Sequence, residues 1–366
     1  MIKILFIKNK ELKQHGPATY QSNILHLFNN SKNFKLIIIT DDIDEQLKFK
    51  GGIKLLLRYI KLTIKIRKHI KYVDYLYIPS LIRYGLFATL ISSLFKIPFI
   101  IPILGWYEKE LIQKGVSKIK RFILLKYEIW VYRNAKYLLT SHDLTNVYAK
   151  TVKHENKFIN IDLPIDTNRF KPTTSKSEIL KNKLKVNNKK CILTVTSLAP
   201  GMPKEVGLKI LIDAFIIIKK EYNNVVLLIA GNGRQKKKFE NLIKKLNVKD
   251  DIRLIGYCDK IIELINLSDV FTLIFPYGGG IGASIKEAMA CEKPCVISRT
   301  SGTEVLNDRE EVLLVNLDPR DIADKIIKLL KDEEYARRIG INARKRIEAD
   351  YSIKKAEEKL TEKLSI

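Results

Sequence analysis

Apolar and polar positions alternate along the chain in a pattern that predicts strands and helices in turn. Short apolar runs of strand length recur throughout, and segments with helical apolar spacing separate them. In the first half, strands are predicted at Ile2–Lys8, Phe34–Thr40, Tyr75–Ile78, Pro98–Leu104 and Tyr137–Thr140. In the second half, they are predicted at Cys191–Thr196, Val225–Ala230, Ile252–Ile255, Phe271–Pro276 and Pro294–Ser298. This alternation is typical of an α/β fold with doubly wound parallel sheets.

The helices between these strands, and a proline-flanked segment in the middle of the chain, predict two Rossmann-like domains. Helices are predicted at Tyr20–Phe28, Leu81–Phe95, Lys118–Asn134, Leu208–Glu221, Gln235–Leu246, Lys260–Leu267, Ala283–Ala290, Asp321–Leu330 and Glu334–Glu348. The proline-flanked segment Asp162–Pro172 and the polar Thr173–Lys190 after it predict an interdomain connection. We therefore expect domains at residues 1–165 and 166–351. The terminal helix, at about 352–366, is expected to pack back on the first domain.

The stretch Phe271–Glu304 contains a strand, a glycine-rich turn and a helix. Its glycines fall within five positions, at Gly278, Gly279, Gly280 and Gly282. Glycines let a backbone approach a ligand closely, and the free N–H groups of a first helical turn suit a phosphate. Glu287 follows Ser284 by about one turn, so it can reach a hydroxyl beside that phosphate, and Glu304 follows the next strand at the same sheet edge. The alternative is a tight turn with Glu287 on a solvated face.

The balance of charge is strongly basic. The chain carries 66 Lys and Arg against 40 Asp and Glu, for a net charge of +26. The first 164 residues hold 28 of these cations and 12 of these acids, so the excess lies mainly there. A nucleic acid, an anionic membrane or an acidic substrate would each complement this charge. Specific nucleic-acid binding ranks last, because no known nucleic-acid module and no aromatic stacking platform accompany the charge.

One segment of the first half arranges its cations as a stripe. Between Lys48 and Tyr72 there are nine Lys or Arg and no acid. On a helix, one face would carry Lys54, Arg58, Lys61, Lys65 and Lys68. Anionic lipid headgroups are one expected partner of this face, and a surface helix docked by its neighbouring apolar stripe is the equal alternative. A second basic helix, Lys118–Asn134, adds Trp130 and Tyr132 as interfacial anchors.

Cysteine usage and the first residues bear on compartment and cofactors. Cys191, Cys258, Cys291 and Cys295 have no histidine at metal-site spacing, so we expect buried, reduced thiols in a cytosolic protein. The first ten residues read as a strand and not as a signal peptide. The pair Asp42 and Asp44 matches a weak three-residue pattern of metal-dependent sugar transferases, but solvated carboxylates are favoured there. No metal and no other cofactor is expected.

Several motifs of the second half together resemble a known enzyme family. They are GLKILIDAF, LLIAGNG, IRLIGY, KEAMACEKPCVIS with SGTEVL, and RRIGINARKRIEADYS, in that order. The series resembles the glycosyltransferases of family 4, which are retaining, nucleotide-sugar-dependent enzymes with two Rossmann-like domains facing a central cleft in the GT-B fold. The similarity covers about Cys191–Ser352 well. It is fainter in the first half, where His15–Gly16–Pro17 precedes a helix.

The resemblance implies roles for named residues. It implies that Glu287 binds the ribose of the donor and that the backbone from Gly280 through Ile281, Gly282 and Ala283 to Ser284 holds its diphosphate. It places Gly256 and Tyr257 near the base, and Gly16 beside the donor phosphate. Backbone amides and cations would neutralise the departing diphosphate, so no metal is needed.

Four positions depart from the pattern of the family. Gly279 stands where the family has a carboxylate, Ser197 where it has an arginine, Val206 where it has a lysine and Leu104 where it has a histidine. Lys204 or Arg299 is expected to supply the missing positive charge, with Lys204 and Glu287 as the catalytic candidates.

The leading hypothesis is transfer of a sugar from a nucleotide diphosphate to a glycan or lipid-linked acceptor, at the cytoplasmic face of the membrane. The alternative is a non-catalytic protein of the same fold that binds nucleotide sugars.

Overall fold

The chain forms two compact units in the computed structural model. The structure describes residues 1–9, 16–41, 52–105, 107–113, 115–173, 177–199, 203–276, 281–300 and 302–365. One unit comprises Met1–Pro164 with Ile353–Ile366, and the other comprises Ile165–Ser352. At the edge of the second unit, the N–H of Ile165 donates to the carbonyl of Tyr351 at 2.7 Å. The two segments through which the chain enters and leaves this unit therefore lie side by side.

Strands and helices alternate along both units. The strands are β1 (Ile2–Asn9), β2 (Phe34–Asp41), β3 (Tyr75–Tyr77), β4 (Phe99–Pro102), β5 (Tyr137–Thr140), β6 (Phe158–Asn160), β7 (Lys190–Val195), β8 (Val225–Ala230), β9 (Ile252–Gly256), β10 (Val270–Leu273), β11 (Cys295–Ser298) and β12 (Leu313–Val315). The helices are α1 (Gly16–Asn30), α2 (Gly52–Arg67), α3 (Leu81–Phe95), α4 (Tyr107–Gln113), α5 (Lys118–Asn134), α6 (His142–Val152), α7 (Glu178–Leu184), α8 (Pro203–Glu221), α9 (Lys236–Lys245), α10 (Ile261–Leu267), α11 (Ala283–Ala290), α12 (Pro319–Lys331), α13 (Glu333–Arg346) and α14 (Ile353–Leu364). The predicted α/β class is confirmed.

The first unit is built on a parallel sheet with strand order β2-β1-β3-β4-β5-β6. Its central strands are apolar runs because helices cover both faces of such a sheet. On one face, Leu62 of α2, Phe87 of α3 and Val131 of α5 pack into a single core with the strands. The terminal helix α14 also belongs to this unit, where the Tyr75 hydroxyl donates to the carbonyl of Leu364 at 3.3 Å.

The second unit repeats this design with the order β12-β11-β10-β7-β8-β9, again with every pair parallel. The chain starts at the central strand β7, adds β8 and β9 on one side, and then crosses to add β10, β11 and β12 on the other. The order therefore reverses between β7 and β10. In doubly wound sheets, the crevice outside the carboxyl ends of two such strands is where ligands bind.

Two stretches predicted as loop or linker are helical instead. Helix α8 begins at Pro203, five residues before the predicted start, because proline suits the first position of a helix. Lys204 therefore lies in the first turn of α8 and not in a long loop. Helix α7 lies within the predicted connection 173–190, and Ser177 caps it by accepting the N–H of Leu180 at 3.3 Å. Its apolar content is too small to stand out from the polar sequence around it.

The cysteines are all free thiols. Cys191, Cys291 and Cys295 are buried, as predicted, whereas Cys258 is half-buried. Burial raises the pKa of the Cys291 thiol to about 12, so this side chain behaves as a small apolar group. Among the described helices, none has both the length and the apolar character required to cross a membrane.

Candidate functional site

The carboxyl ends of β7 and β10 are the switch point of the second sheet, and α11 begins beside them. Helix α11 follows β10 along the chain. The hydroxyl of Ser284, in its first turn, donates to the carbonyl of Val195, the last residue of β7, at 3.2 Å. This hydrogen bond fixes the start of α11 against the neighbouring strand, so the helix N-terminus lies where ligands bind in this fold.

The residue at the N-cap position of α11 offers no side chain to cap the helix. Its N-cap is Gly282, in an extended conformation with φ −58° and ψ 148°. The carbonyl of Gly282 accepts the N–H groups of Ile285 at 3.1 Å and Lys286 at 3.2 Å. The N–H groups of Ala283 and Ser284 precede these first intrahelical bonds. Together with the positive end of the helix dipole, they suit an anion such as a phosphate.

Glu287 lies one turn further along α11 and is partly buried. Desolvation raises the pKa of its carboxyl from 4.5 to about 7, although the positive charge of Arg169 acts in the opposite direction. The carboxyl group is therefore about half ionised at neutral pH. In either form it can hydrogen-bond a ligand hydroxyl. Arg169 falls in a segment that sequence reasoning treated only as a linker.

The side chain next to Glu287 is a fully buried lysine. The Lys286 ammonium lies 4.7 Å from the ring centroid of Tyr351, within the range of a cation–π contact. Tyr351 closes a π-helical turn, Ile347–Tyr351, at the point where the chain leaves the second unit. The contact between Lys286 and Tyr351 thus holds helix α11 against this π-helical turn. Sequence reasoning did not single out Lys286, because a lysine on a helix is ordinarily exposed.

Glycines at this edge of the sheet let backbones pass close to one another. A Cβ atom on Gly231 would lie 1.8 Å from the carbonyl oxygen of Thr196, and one on Gly207 would lie 1.8 Å from that of Ile274. No side chain fits at such distances. Gly231 therefore lets the segment after β8 pack against the segment after β7, and Gly207 lets α8 pack against the segment after β10. The sequence pattern alone does not reveal this structural role.

Gly256 marks the carboxyl end of β9 and has a positive φ of 81°. A Cβ atom built there would lie 3.7 Å from Nζ of Lys236, in the first turn of α9, so this ammonium group lies beside the strand end. The next residue, Tyr257, has an exposed side chain. The structure thus brings a cation to the predicted base-binding pair, Gly256 and Tyr257. Sequence reasoning had assigned Lys236 only to a basic helix.

The other predicted donor-binding residues of this unit have varied surroundings. Ser197 is half-buried just after β7, and Ile281 is buried just before α11. Arg299 follows β11, and its guanidinium donates to Asp308 at 2.8 Å, so this cation already has an anionic partner. Glu304 is exposed, and its N–H donates to the carbonyl of Thr300 at 3.1 Å.

Some predicted residues fall outside the described parts of the chain. Gly279 and Gly280 are among them, as are His15 and the pair Asp42 and Asp44. Lys204 and Gly16 are placed in the first turns of α8 and α1, but the Lys204 side chain is not described. Two positions that depart from the family pattern are described and carry exposed apolar side chains, Val206 and Leu104.

The cationic stripe of α2 does not point in a single direction. Arg58 faces inward, where its Nε donates to the buried carboxylate of Asp41 at 3.0 Å. The hydroxyl of Tyr84 donates to the same carboxylate at 2.8 Å. Lys61, Lys65 and Lys68 are exposed, and Lys65 also donates to the carbonyl of Thr40 at 3.2 Å. The side chain of Lys54 lies outside the described residues. Of the two predicted interfacial anchors on α5, Trp130 is exposed, but the prediction for Tyr132 is wrong, because its ring is buried in the core of the first unit.

The second unit resembles known glycosyltransferases in sequence. Residues 175–346 match the family model of group 1 glycosyltransferases. Over 138 residues the chain is 33% identical to the N-acetyl-alpha-D-glucosaminyl L-malate synthase of Bacillus anthracis, which covers 37% of this chain and 36% of that protein. Over 153 residues it is 32% identical to the capsular polysaccharide biosynthesis glycosyltransferase CapM of Staphylococcus aureus, covering 41% and 40%. The matches thus span well under half the length of these relatives.

Comparison with solved structures extends the likeness in fold to the whole chain. Anabaena HepE in complex with UDP superposes with a TM-score of 0.79 at 16% identity, and all of both chains is covered. A glycosyltransferase from Rickettsia africae gives a TM-score of 0.76 at 18% identity, with 100% and 98% covered. Residues 175–346 thus resemble group 1 glycosyltransferases in sequence, and the fold of the chain is the GT-B type of its structural neighbours.

Proposed function

We propose that this protein is a retaining glycosyltransferase that moves a hexosyl group from a nucleoside diphosphate sugar to a glycan or lipid-linked acceptor. The observation that carries the proposal is Glu287 one turn behind the start of α11, where a glycine is the N-cap, at the switch point of the second sheet. A diphosphate on the N–H groups of Ala283 and Ser284 brings the ribose of the same nucleotide within reach of the Glu287 carboxyl. UDP is the first nucleotide to test, because the Anabaena neighbour was solved with it.

In the transfer step, negative charge grows on the departing diphosphate. The amides and dipole of α11 counter that charge without rearrangement, and Lys204 in the first turn of α8 is our candidate for an added cation. Lys236 beside Gly256 would lie near the base. We propose that no metal takes part, so EDTA should leave the rate unchanged. Retention is tested by the anomeric configuration of the product, read by NMR.

The acceptor class is proposed from two sources. The relatives include a protein named for capsular polysaccharide biosynthesis, and the first half of this chain is strongly basic. Both observations favour, as acceptor, a glycan or a lipid-linked sugar that the enzyme binds at the cytoplasmic face of a membrane. Incubation with lipid-linked and free oligosaccharide acceptors, followed by mass spectrometry, would separate these two acceptor types.

Isothermal titration tests the donor site directly. We expect the wild-type chain to bind UDP, or failing that GDP or ADP, and Glu287→Ala to weaken that binding at least tenfold. Glu334→Ala is the matched control, because it removes an exposed carboxylate on α13 of the same unit. Absence of binding to all three nucleotides, or equal affinity in the Glu287 variant, would overturn the proposal.

A second candidate function is nucleotide-sugar binding without transfer. It is favoured by the pairing of Arg299 with Asp308 and by the exposed apolar Val206 where the family has a lysine. Release of UDP from a panel of UDP-sugars decides between the two. Turnover that is lost in Lys204→Ala and kept in Lys209→Ala, a change of an exposed lysine on the same helix, supports transfer. Binding without turnover of any sugar supports the second candidate.

A further inference from the structure

Helix α3 of the first unit is apolar on its outer face as well as on its inner face. Tyr84, Phe87 and Ile91 are buried against the sheet. On the other side, four large apolar residues repeat at intervals of four and remain exposed, at Ile82, Leu86, Leu90 and Leu94. These four form the α3 ridge. Leu94 is 72% exposed and Ile82 is 65% exposed, so no described part of the chain covers the two ends of the ridge.

The helices on both sides of α3 continue this apolar surface. On the α5 side, the N–H of Leu86 donates to the Tyr127 hydroxyl at 2.9 Å. On the α2 side, the ring of Tyr59 lies 5.3 Å from that of Phe87. The exposed apolar side chains of these neighbours are Ile60 and Ile64 on α2 and Ile119, Phe122, Ile123 and Trp130 on α5. A protein surface rarely exposes this many large apolar side chains on neighbouring helices without a partner.

The charge of the three helices points to one kind of partner. Helices α2, α3 and α5 together contain eleven Lys or Arg and a single acid, Glu128. That acid is 1% exposed and accepts the Tyr148 hydroxyl at 2.8 Å. Lys118, Lys120 and Lys126 are exposed around the apolar residues of α5. An apolar centre with cations around it and no exposed acid complements an anionic lipid surface, which offers acyl chains beneath negative headgroups.

We propose that the α3 ridge, with the exposed apolar residues of α2 and α5 beside it, inserts into the headgroup region of an anionic bilayer. The lysines around it pair with lipid phosphates. The inference deepens the proposed function by naming the surface that meets the membrane, and it uses none of the donor-site residues. The cationic stripe of α2 is then not the main contact with the membrane, because Arg58 pairs with Asp41.

Vesicle binding of the full chain tests this proposal. We expect it to co-sediment with phosphatidylcholine vesicles that contain phosphatidylglycerol, and only weakly with phosphatidylcholine alone. Leu90→Ser with Leu94→Ser should reduce binding at least tenfold, because both side chains are exposed and their loss leaves the core intact. Ile179→Ser is the control, as it removes an exposed apolar residue from the second unit. Lys118→Gln with Lys120→Gln should also reduce binding, and added salt should then have less effect.

Three outcomes would overturn the proposal. One is vesicle binding that the double serine variant retains in full. Another is no binding to either kind of vesicle. The third is a dimer in sedimentation velocity that the double serine variant dissociates, since the ridge would then be covered by a second copy. UDP titration of the same variant separates this proposal from the donor site, because its affinity for UDP should be unchanged.

Discussion

The two units share a design but differ in how they treat surface charge. Each has a six-stranded parallel sheet with helices on its faces. In the second unit, exposed cations lie against acids, as in the pairs Lys238–Glu205 at 2.6 Å and Arg320–Glu221 at 2.9 Å. In the first unit, α2, α3 and α5 have no exposed acid. The ion pair between Arg58 of α2 and Asp41 of β2 faces inward.

This difference shows that one architecture, a parallel sheet between helices, can carry two kinds of surface, even though the strand orders of the two sheets differ. Core packing depends on the buried positions, and both units bury apolar strands beneath their helices. The outward positions of the helices are free to vary, because they contribute little to stability. In the first unit they leave apolar and basic side chains exposed, and in the second they carry mixed charges.

The largest expected effect is a loss of stability when a glycine is replaced, and it should differ between a glycine of the second unit and one of the first. Gly231→Ala should destabilise the second unit by about 4 kcal/mol, because the new Cβ meets a backbone oxygen at 1.8 Å and φ is 140°. Gly115→Ala in the first unit should cost only about 1 kcal/mol, since its φ is 66° and nothing lies within 4 Å of the new atom. Amide hydrogen exchange in β7, β8 and β5 would measure each unit separately. Equal effects of the two changes would show that the close approach at Gly231 is misplaced.

The inward ion pair of the first unit should be next in size. Asp41→Ala should cost about 3 kcal/mol, because it leaves the Arg58 guanidinium and the Tyr84 hydroxyl buried without their acceptor. Burial and the charge of Asp41 raise the pKa of the Tyr84 phenol, so that hydroxyl is a donor throughout the working pH range.

A double variant provides the control for this pair. Asp41→Leu with Arg58→Met removes both charges and should recover much of the loss, as apolar replacement of buried pairs often does. The free energy of unfolding of both variants can be measured in urea, with amide hydrogen exchange in β2 as the readout. A single change that costs no more than the double one would mean that the pair is solvated and that Arg58 is available to an external partner.

Much of the fold could be predicted from the sequence, whereas the site could be predicted only in outline. The strands can be predicted because a parallel sheet buries long apolar runs such as Val225–Ala230. The placement of Ser284 and Glu287 at a helix start follows from that pattern. Arg169, Lys236 and Lys286 could not be found in this way, because their positions depend on contacts between segments distant in sequence. The inward turn of Arg58 was hidden for the same reason, since helical spacing assigns a residue to a face but not to a partner.

The last prediction concerns Glu287 and depends on pH. Its folded-state pKa of about 7 lies above the usual 4.5, so the folded chain holds this proton more tightly than the unfolded chain. Below pH 4.5 the carboxyl is neutral in both states and costs nothing. As pH rises from 4.5 to 7, only the unfolded state ionises, so stability falls, and above 7 the penalty is constant at up to about 3 kcal/mol. Glu287→Gln should therefore match the wild type at pH 4 and exceed its stability at pH 8, as measured by urea unfolding at the two pH values. A constant difference between the two proteins would mean that the carboxyl is solvated, and the second unit would then lack the buried group that distinguishes its site from the charged surface around it.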